Sequence, residues 1–250
     1  MNELLRSSIE QGVTPELMLA PGQSTSFLNP FSYLRLRGRP DLLGAIRHWA
    51  IDGKSLQVLL AREWGVDIRR ASFDYTSLAD PVFGDLSRRG GSMFVLGSDP
   101  QSVERFAEHL RNGYPSLRIA GYRNGFFDGD DERRAEARRI AALAPDFVLV
   151  GMGAVRQEEF VRILFEEGFQ GAAATCGGFI HQTARSGARY YPAWVDRLNL
   201  RFAYRMFDEP ALVRRYAIDY PRAFMVIRRD LRALAKSVES SSRSRMEKSS

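Results

Sequence analysis

An aspartate at the end of an apolar strand is the first residue whose position suggests chemistry. Asp52 follows the apolar segment that ends at Ile51, and Gly53 and a helical pattern of leucines come directly after it. A carboxylate between a strand and a helix faces the ligand crevice of many α/β sheets, where it can act as a general base. Aspartate is also a favoured helix cap. The spacing alone favours the cap and leaves catalysis open.

A second candidate site lies in the stretch from Asp146 to Ala184. Its opening DFVLVGMGA reads as a buried strand that ends in Gly151 and Gly153, and EEFVRILFEEGF then has the apolar spacing of a helix. Together with Gln157, these glycines fall where open α/β sheets bind ligands, although glycines also serve as plain turns. The third glycine of GxGxxG is missing, and Arg156 stands where a phosphate turn keeps a small residue, which disfavours a plain dinucleotide site.

The elements around these residues alternate between strand and helix. The clearest unit reads as a strand from Met93 to Leu96, a helix from about Pro100 to Arg111 and a strand from Leu117 to Gly121. Gly97 with Ser98 forms a second strand-end turn that can approach a ligand. The alternation predicts an α/β fold with a mostly parallel, doubly wound Rossmann-like sheet.

Composition indicates a globular chain with an anionic partner. The 250 residues are 44% hydrophobic and 26% charged, which is enough to bury a core. The formal net charge of +6 favours nucleic acid, a nucleotide or diphosphate ligand, or an anionic membrane surface, without choosing among them. No apolar run has the length of a membrane-spanning helix, and the amino terminus lacks the apolar core of a signal peptide. We therefore expect a cytoplasmic protein.

Cysteine and histidine usage indicates neither disulfides nor zinc. Cys176 is the single cysteine, so no intrachain disulfide forms, and its apolar strand favours a buried inert thiol. The three histidines are scattered and no pair has zinc-ligand spacing.

The composition changes beyond Ala184. Arginines recur there among aromatic residues, and the pattern predicts a helical, basic C-terminal appendage that includes Arg205 and Arg215. Such a segment suits nucleic acid, lipid headgroups or a ligand diphosphate, and it also suits aromatics packed on the core with solvated arginines. The last residues are low in complexity, which predicts disorder.

In order and spacing, these landmarks resemble the WecG/TagA/CpsF family of bacterial glycosyltransferases, glycosyltransferase family 26, over roughly residues 25 to 225. The family's early asparagine, its Asp-Gly pair and its Arg…Asp segment have counterparts in Asn29, in Asp52 with Gly53, and in Arg69 with Asp74. Its GxGxPKQE loop is GMGAVRQEEF here, its Gly-Gly strand is CGGF, and its tail is RYYPAW…RFAYRMFDEPALVRRY.

The resemblance implies inverting transfer of a hexose derivative from a UDP-sugar, of the UDP-N-acetylmannosamine type or a UDP-hexose, to a polyprenyl-diphosphate-linked saccharide of bacterial surface or exopolysaccharide synthesis. Asp52 would be the base that deprotonates the attacking hydroxyl. The residues expected to bind substrate all belong to the matched motifs: Asn29, Arg69, Asp74, Gly151, Gly153, Gln157, Glu158, Arg205 and Arg215. Because no DxD motif stands at a strand end, arginines and strand-end amides would neutralise the diphosphate, and we expect no metal and no cofactor.

The same resemblance predicts the organisation and the partners. The expected division is a lead-in over residues 1–24, an α/β catalytic core over 25–187, the basic aromatic appendage over 188–236 and a disordered tail over 237–250. The partners would be the UDP-sugar donor, the lipid-linked acceptor and an anionic membrane surface that the appendage contacts, so the protein would be peripheral on the inner face of the cell membrane. A homo-oligomer that buries the appendage is the alternative.

Several positions depart from the family pattern. Val155 and Arg156 replace the usual Pro-Lys, Arg201 and Phe202 replace a Glu-Trp, and Leu212 stands where arginine is common. These changes fit a different donor or acceptor, a weakened enzyme, or a non-catalytic homologue that only binds a sugar nucleotide. A nucleic-acid-binding module is the remaining alternative, but no helix-turn-helix, zinc or RNP signature supports it, so we expect no nucleic acid partner.

Overall fold

A parallel sheet forms the centre of the computed structural model, which describes residues 3–187 and 212–247. The sheet has six strands in the order β2-β1-β6-β5-β3-β4, and every neighbouring pair is parallel. The strands are β1 Ser24–Leu28, β2 His48–Ile51, β3 Ser92–Gly97, β4 Arg118–Arg123, β5 Phe147–Gly151 and β6 Ala172–Thr175. The predicted α/β fold with a parallel, doubly wound sheet is confirmed.

Helices cover both faces of the sheet. In the first part of the described chain they are α1 Glu3–Gln11, α2 Pro15–Leu19, α3 Pro30–Leu36, α4 Pro40–Ala45, α5 Lys54–Trp64 and α6 Ala79–Arg88. They continue with α7 Pro100–Gly113, α8 Asp130–Leu143, α9 Arg156–Glu166, α10 Phe179–Ser186, α11 Leu212–Arg214 and, after a π-helical turn over Arg215–Asp219, α12 Tyr220–Glu247. The predicted strand-helix-strand units around β3 and β5 are present.

The core has two apolar layers because side chains alternate across each strand. In β5, Val148 and Val150 point into the layer formed with α1, α3, α4, α5, α8, α9 and α12. Phe147 and Leu149 point into the layer formed with α2, α6, α7 and α10. All four side chains are fully buried, as expected for a central parallel strand.

The residues before the first strand belong to this core. Leu5 and Ile9 of α1 are each 2% exposed, and Met18 of α2 is buried in the other layer. The Ser8 hydroxyl accepts a hydrogen bond from the Trp49 backbone N–H at 2.7 Å. Helix α1 thereby satisfies a backbone donor on the outer edge of β2. The segment expected to be a lead-in contributes two packed helices.

Helix α12 packs on α3 through one apolar face. Ala223, Ile227 and Leu231 are buried there, and the side chains are described as far as Leu234. The helix continues to Glu247, past residue 237, where the sequence predicted the disordered tail to begin. The four-part division of the chain stays a prediction. No helix in the described ranges is long and apolar enough to cross a bilayer.

Candidate active site

The helices after β3 and β5 leave the carboxyl edge of the sheet on opposite faces. Helix α7 follows β3 into one apolar layer and α9 follows β5 into the other. Adjacent strands whose connections diverge in this way form a topological switch point, where doubly wound sheets bind their ligands. Gly97 and Gly151 pair in register there, and the Ser98 backbone N–H donates to the Gly151 carbonyl at 3.1 Å.

Asp52 lies one residue beyond β2, as predicted. Its backbone N–H donates to the Leu28 carbonyl at 2.8 Å, which ties it to the end of β1, and its side chain is half-buried. The N-cap of α5 is Gly53 with φ of 105°, a conformation that glycine adopts readily. The capping position that the sequence favoured for Asp52 is therefore taken by Gly53, and the carboxylate stands before the helix at the carboxyl edge.

Asn29 occupies the end of the neighbouring strand β1. Its Oδ1 accepts the Ser32 backbone N–H at 3.0 Å, and the Ser32 hydroxyl accepts the Asn29 N–H at 2.9 Å. This reciprocal pair caps α3, so Asn29 has a local structural role. The cap also fixes Asn29 at the same edge of the sheet as Asp52.

The arginine segment after α5 runs beside β2. Arg70 forms an isolated parallel β-bridge with Ile51, and the Ala71 N–H donates to the Ile51 carbonyl at 3.0 Å. Arg69 is exposed, whereas Arg70 is half-buried and its Nη2 lies 3.3 Å from the Ser72 hydroxyl. The sequence pointed to Arg69, and the structure brings Arg70 to the strand end next to Asp52. Adjacent residues of an extended segment face opposite sides, and the Arg-Arg pair alone does not reveal which one faces the site.

Asp74 organises the turn that follows. Its carboxylate accepts the Ser72 hydroxyl and the Thr76 backbone N–H, both at 2.8 Å. The Ser72 hydroxyl thus lies between the Arg70 guanidinium and the Asp74 carboxylate. Asp74 supports this turn directly, and its predicted contact with substrate stays a prediction.

The loop after β5 is tightly fixed. A Cβ on Gly151 would lie within 3.0 Å of Ile180, Cys176 and Gly177, so the turn after β6 and the start of α10 approach its backbone closely. Gly153 has φ of 79° and Val155 has φ of 77°, the left-handed region that costs a β-branched residue most. These two residues lead the chain into α9.

Gln157 and Glu158 lie at the start of α9 and are both buried. Gln157 is 5% exposed; its Nε2 donates to Glu158 Oε1 at 2.8 Å and its Oε1 accepts the Gly177 N–H at 3.1 Å. Glu158 is 0% exposed and also accepts the Ser26 hydroxyl at 2.8 Å and the Val155 N–H at 2.6 Å. Burial raises the pKa of Glu158 above its ordinary value against the opposing effect of these donors. The geometry places Glu158 behind the loop, and its predicted contact with substrate stays a prediction.

A polar cluster after β3 was missed by the sequence analysis. Asp99 accepts the Ser102 hydroxyl at 2.6 Å and lies 3.5 Å from His181 Nδ1, at the beginning of α7 and α10. The Ser102 hydroxyl, followed by smaller contributions that include His181, lowers the pKa of Asp99 to about 2. The turn Gly97-Ser98 was recognisable from sequence, but the approach of α10 to α7 was not.

Two predicted residues are left out of this geometry. Arg205 lies outside the described residues, and the side chain of Arg215 does as well. Among the described residues, no group of three His, Cys, Asp or Glu side chains could hold a metal ion. The expectation of a metal-free reaction stays a prediction.

The fold and this edge define a doubly wound α/β protein with a carboxylate, an arginine and glycine-rich turns at its strand ends. Comparison of the sequence with family models gives the assignment: the model described as glycosyl transferase WecG/TagA/CpsF family matches residues 13–237. The chain belongs to this family and is a glycosyltransferase, of the hexosyltransferase kind.

Two curated relatives show the range of activities near this chain. A UDP-Gal:alpha-D-GlcNAc-diphosphoundecaprenol beta-1,4-galactosyltransferase from Shigella boydii is 29% identical over 197 residues, which cover 79% of this chain and 82% of the relative. An N-acetylglucosaminyldiphosphoundecaprenol N-acetyl-beta-D-mannosaminyltransferase from Bacillus spizizenii is 27% identical over 197 residues, which cover 79% and 70%. The two relatives transfer different sugars.

Proposed function

We propose that this chain is an inverting glycosyltransferase that moves a hexose derivative from a UDP-sugar to a polyprenyl-diphosphate-linked saccharide in bacterial surface or exopolysaccharide synthesis. The names of both relatives support the lipid-linked acceptor, and that of the Shigella protein includes a UDP-sugar. The observation that carries the chemistry is Asp52 at the carboxyl end of β2, beside the bridge between Ile51 and Arg70.

Asp52 acts as the general base in this proposal. It takes the proton of the acceptor hydroxyl as the hydroxyl oxygen bonds to the anomeric carbon, and the bond from that carbon to the diphosphate breaks on the opposite face. The electron pair of the broken bond leaves with UDP. One displacement inverts the anomeric configuration. An alpha-linked donor would therefore give a beta-linked product, and beta is the configuration in the names of both relatives.

Positive charge and oriented amides stabilise the leaving diphosphate. The start of α9 lies at the switch point between β3 and β5, and the helix dipole favours an anion there. Arg70 supplies a guanidinium at the β2 end, and Arg205 and Arg215 are the candidates from the C-terminal appendage. Gln157 and Asn29 would orient the donor. Gly153, which has largely open space at its Cα, would allow the donor to approach the backbone, and Gly151 lets Ile180 and Cys176 pack against the loop.

The exposed face of α12 suits an anionic membrane surface. Four arginines are exposed there, opposite the apolar residues that pack on α3: Arg222, Arg228, Arg229 and Arg232. Each arginine near an anionic surface contributes about 1 kcal/mol to binding. This face would hold the enzyme at the inner leaflet, where a polyprenyl-diphosphate acceptor lies.

The test is UDP release from a panel of UDP-hexoses and UDP-N-acetylhexosamines, with and without a polyprenyl-diphosphate saccharide extract. We expect release that needs both substrates and continues in EDTA, and the active donor identifies the sugar. Release that stops in EDTA would overturn the metal-free mechanism. Binding of UDP-sugars without release in the presence of any acceptor would support a non-catalytic sugar-nucleotide-binding protein instead.

A further inference from the structure

We propose that Glu158 is a positioning residue, which sets the amide of Gln157 and the turn at Val155 for the donor without touching it. The inference rests on the proposed function, because it takes the loop from Gly151 to Gln157 as part of the donor site. Glu158 is the one fully buried carboxylate of the described chain, and the proposed reaction gives it no chemical role.

The hydrogen bonds around Glu158 fit its ionised form. Ser26, Gln157 and Val155 present three donors to its two oxygens, at 2.8, 2.8 and 2.6 Å. A neutral carboxyl group would have to direct its own proton at one of these donors, and only the Ser26 hydroxyl can turn to accept it. The carboxylate therefore matches its surroundings as an acceptor with several satisfied bonds, which limits the cost of burying a charge.

Glu158 determines which way the Gln157 amide points. Because the carboxylate only accepts, the amide nitrogen of Gln157 must face it, and Oε1 then meets the Gly177 N–H. A flipped amide would set Oε1 against the carboxylate and Nε2 against the Gly177 N–H. Of the two Nε2 hydrogens, one goes to Glu158, and within the described residues the other has no acceptor. Because Glu158 fixes the amide, it also fixes the direction of this second hydrogen.

Glu158 also holds a strained residue. Val155 has φ of 77° and ψ of −56°, a turn that is rare even for unbranched residues. Strain of this kind costs about 1–3 kcal/mol and persists only where the surroundings enforce it. Here the Val155 N–H donates to the buried carboxylate at 2.6 Å. The turn lies between Gly153 and the first residue of α9, so it sets the direction in which that helix begins.

The carboxylate is itself anchored in the sheet. The Ser26 hydroxyl bonds both Glu158 and the Thr175 hydroxyl, each at 2.8 Å, which joins β1 and β6 to the start of α9. All three side chains are buried. Glu158 thus transfers the fixed geometry of two central strands to a loop at the switch point, the kind of support that a binding site needs behind its contact residues.

Glu158→Gln is the direct test, because it keeps the volume and adds a donor. The new NH₂ must face either the Val155 N–H or the pair formed by Ser26 and Gln157. In the first case the Val155 turn loses its acceptor. In the second the Gln157 amide flips. We expect kcat/KM for the donor to fall on the order of 100-fold, the loss expected when a site is misplaced by about 1 Å. Glu159→Gln is the matched control, since Glu159 is the next residue and pairs with Arg39 instead.

A double-mutant cycle shows whether Glu158 acts through Gln157. We expect Gln157→Ala and Glu158→Gln to lower kcat/KM for the donor, and the double variant to be little worse than Gln157→Ala. Val155→Gly should recover about tenfold in the Glu158→Gln background, because glycine adopts a positive φ without strain. Recovery with Val155→Gly indicates that the turn lost its acceptor, and non-additive losses indicate that the Gln157 amide flipped. Independent losses together with no recovery, or wild-type activity of Gln157→Ala, would overturn the proposal.

Two further outcomes separate the proposal from its alternatives. If Glu158→Gln and Glu158→Asp both fail to fold while Gln157→Ala folds, the carboxylate serves the fold as a whole and the positioning role is wrong. If the wild type binds a UDP-hexose without turnover, the proposed transferase activity is wrong. The double-mutant cycle can still be measured, with donor affinity from calorimetry in place of kcat/KM. Non-additive affinities, or affinity regained with Val155→Gly, would support the positioning role, and additive affinities without that recovery would overturn it.

Discussion

A methyl group on the Cα of Gly97 would lie 2.3 Å from the carbonyl oxygen of Gly151. The two glycines are register partners at the ends of β3 and β5, and Gly97 has φ of 140°. The strands therefore meet backbone against backbone where α7 and α9 diverge. Neither glycine places a side chain between the two strand-end turns that form the switch point.

Gly97→Ala should disrupt this contact. The substitution places a Cβ against backbone atoms and forces alanine to a positive φ, which costs more than about 1 kcal/mol before the clash is counted. We expect a lower midpoint in urea denaturation and weaker UDP binding. Gly113→Ala is the control, because Gly113 is the last residue of α7 with open space around it. Equal stability of the two variants would show that the contact is unimportant.

Asp52→Asn should abolish turnover and keep donor binding. The amide has nearly the shape of the carboxylate but cannot take a proton, and general-base catalysis contributes about 10²- to 10⁴-fold. We expect kcat to fall by that factor while the dissociation constant of the UDP-sugar, measured by calorimetry, stays within a few fold. Asp67→Asn changes an exposed carboxylate nearby and should behave as wild type. Unchanged kcat in Asp52→Asn would remove Asp52 from the mechanism.

Arg70 and Arg69 give a second comparison within one pair of residues. Arg70 is half-buried beside the end of β2, and Arg69 is exposed. Loss of a guanidinium that contacts a diphosphate costs a charge-assisted hydrogen bond, about twice the strength of a neutral one. Arg70→Ala should therefore lower kcat/KM for the donor at least tenfold, and Arg69→Ala should change it little. The reverse order would restore the interpretation drawn from the sequence.

The sequence predicted the elements of the sheet better than the side chains that they present. The run DFVLVGMGA gave β5, because a central parallel strand is apolar on both faces, and Asp52 was placed correctly after β2. Glu158 was expected to bind substrate, yet it is buried behind its loop. Its place depends on Ser26, which is 132 positions away in the chain, and no local pattern reports such a contact.

One carboxylate adds polar contacts to the apolar packing of α12 on α3. Asp230 accepts hydrogen bonds from Arg37 at 2.8 and 2.9 Å and from the Tyr33 hydroxyl at 2.9 Å. Burial acts to raise the pKa of Asp230, but these bonds, with Arg37 first, outweigh it and hold the pKa below its ordinary value. A depressed pKa means that the native state favours the ionised form.

The free energy of unfolding should consequently decrease as pH is lowered, and Asp230→Asn should remove this part of the pH dependence. The Asp230 contribution is fully present above the pKa of the unfolded chain, about 4, and is lost as pH falls through the lower pKa of the folded protein. We expect Asp230→Asn to lose about 1–2 kcal/mol of unfolding free energy at neutral pH and to lose less than wild type below pH 4. Asp219→Asn, in the turn before α12, is the control. Parallel pH curves for wild type and Asp230→Asn would contradict the linkage.

The membrane role of the C-terminal region depends on charge, so it can be tested without removing the helix. Deleting the chain after about Gly187 should release the protein from anionic vesicles, but it also uncovers the apolar surface that Ala223 and Ile227 occupy.

Replacing the exposed arginines of α12 by glutamine keeps that packing. With about 1 kcal/mol for each arginine, a fourfold replacement should weaken binding to phosphatidylglycerol vesicles by on the order of 10²- to 10³-fold in a sedimentation assay. Phosphatidylcholine vesicles should bind neither form. If the replaced protein still sediments with anionic vesicles and salt does not release it, the apolar residues or a second subunit account for the appendage, and the electrostatic role is wrong.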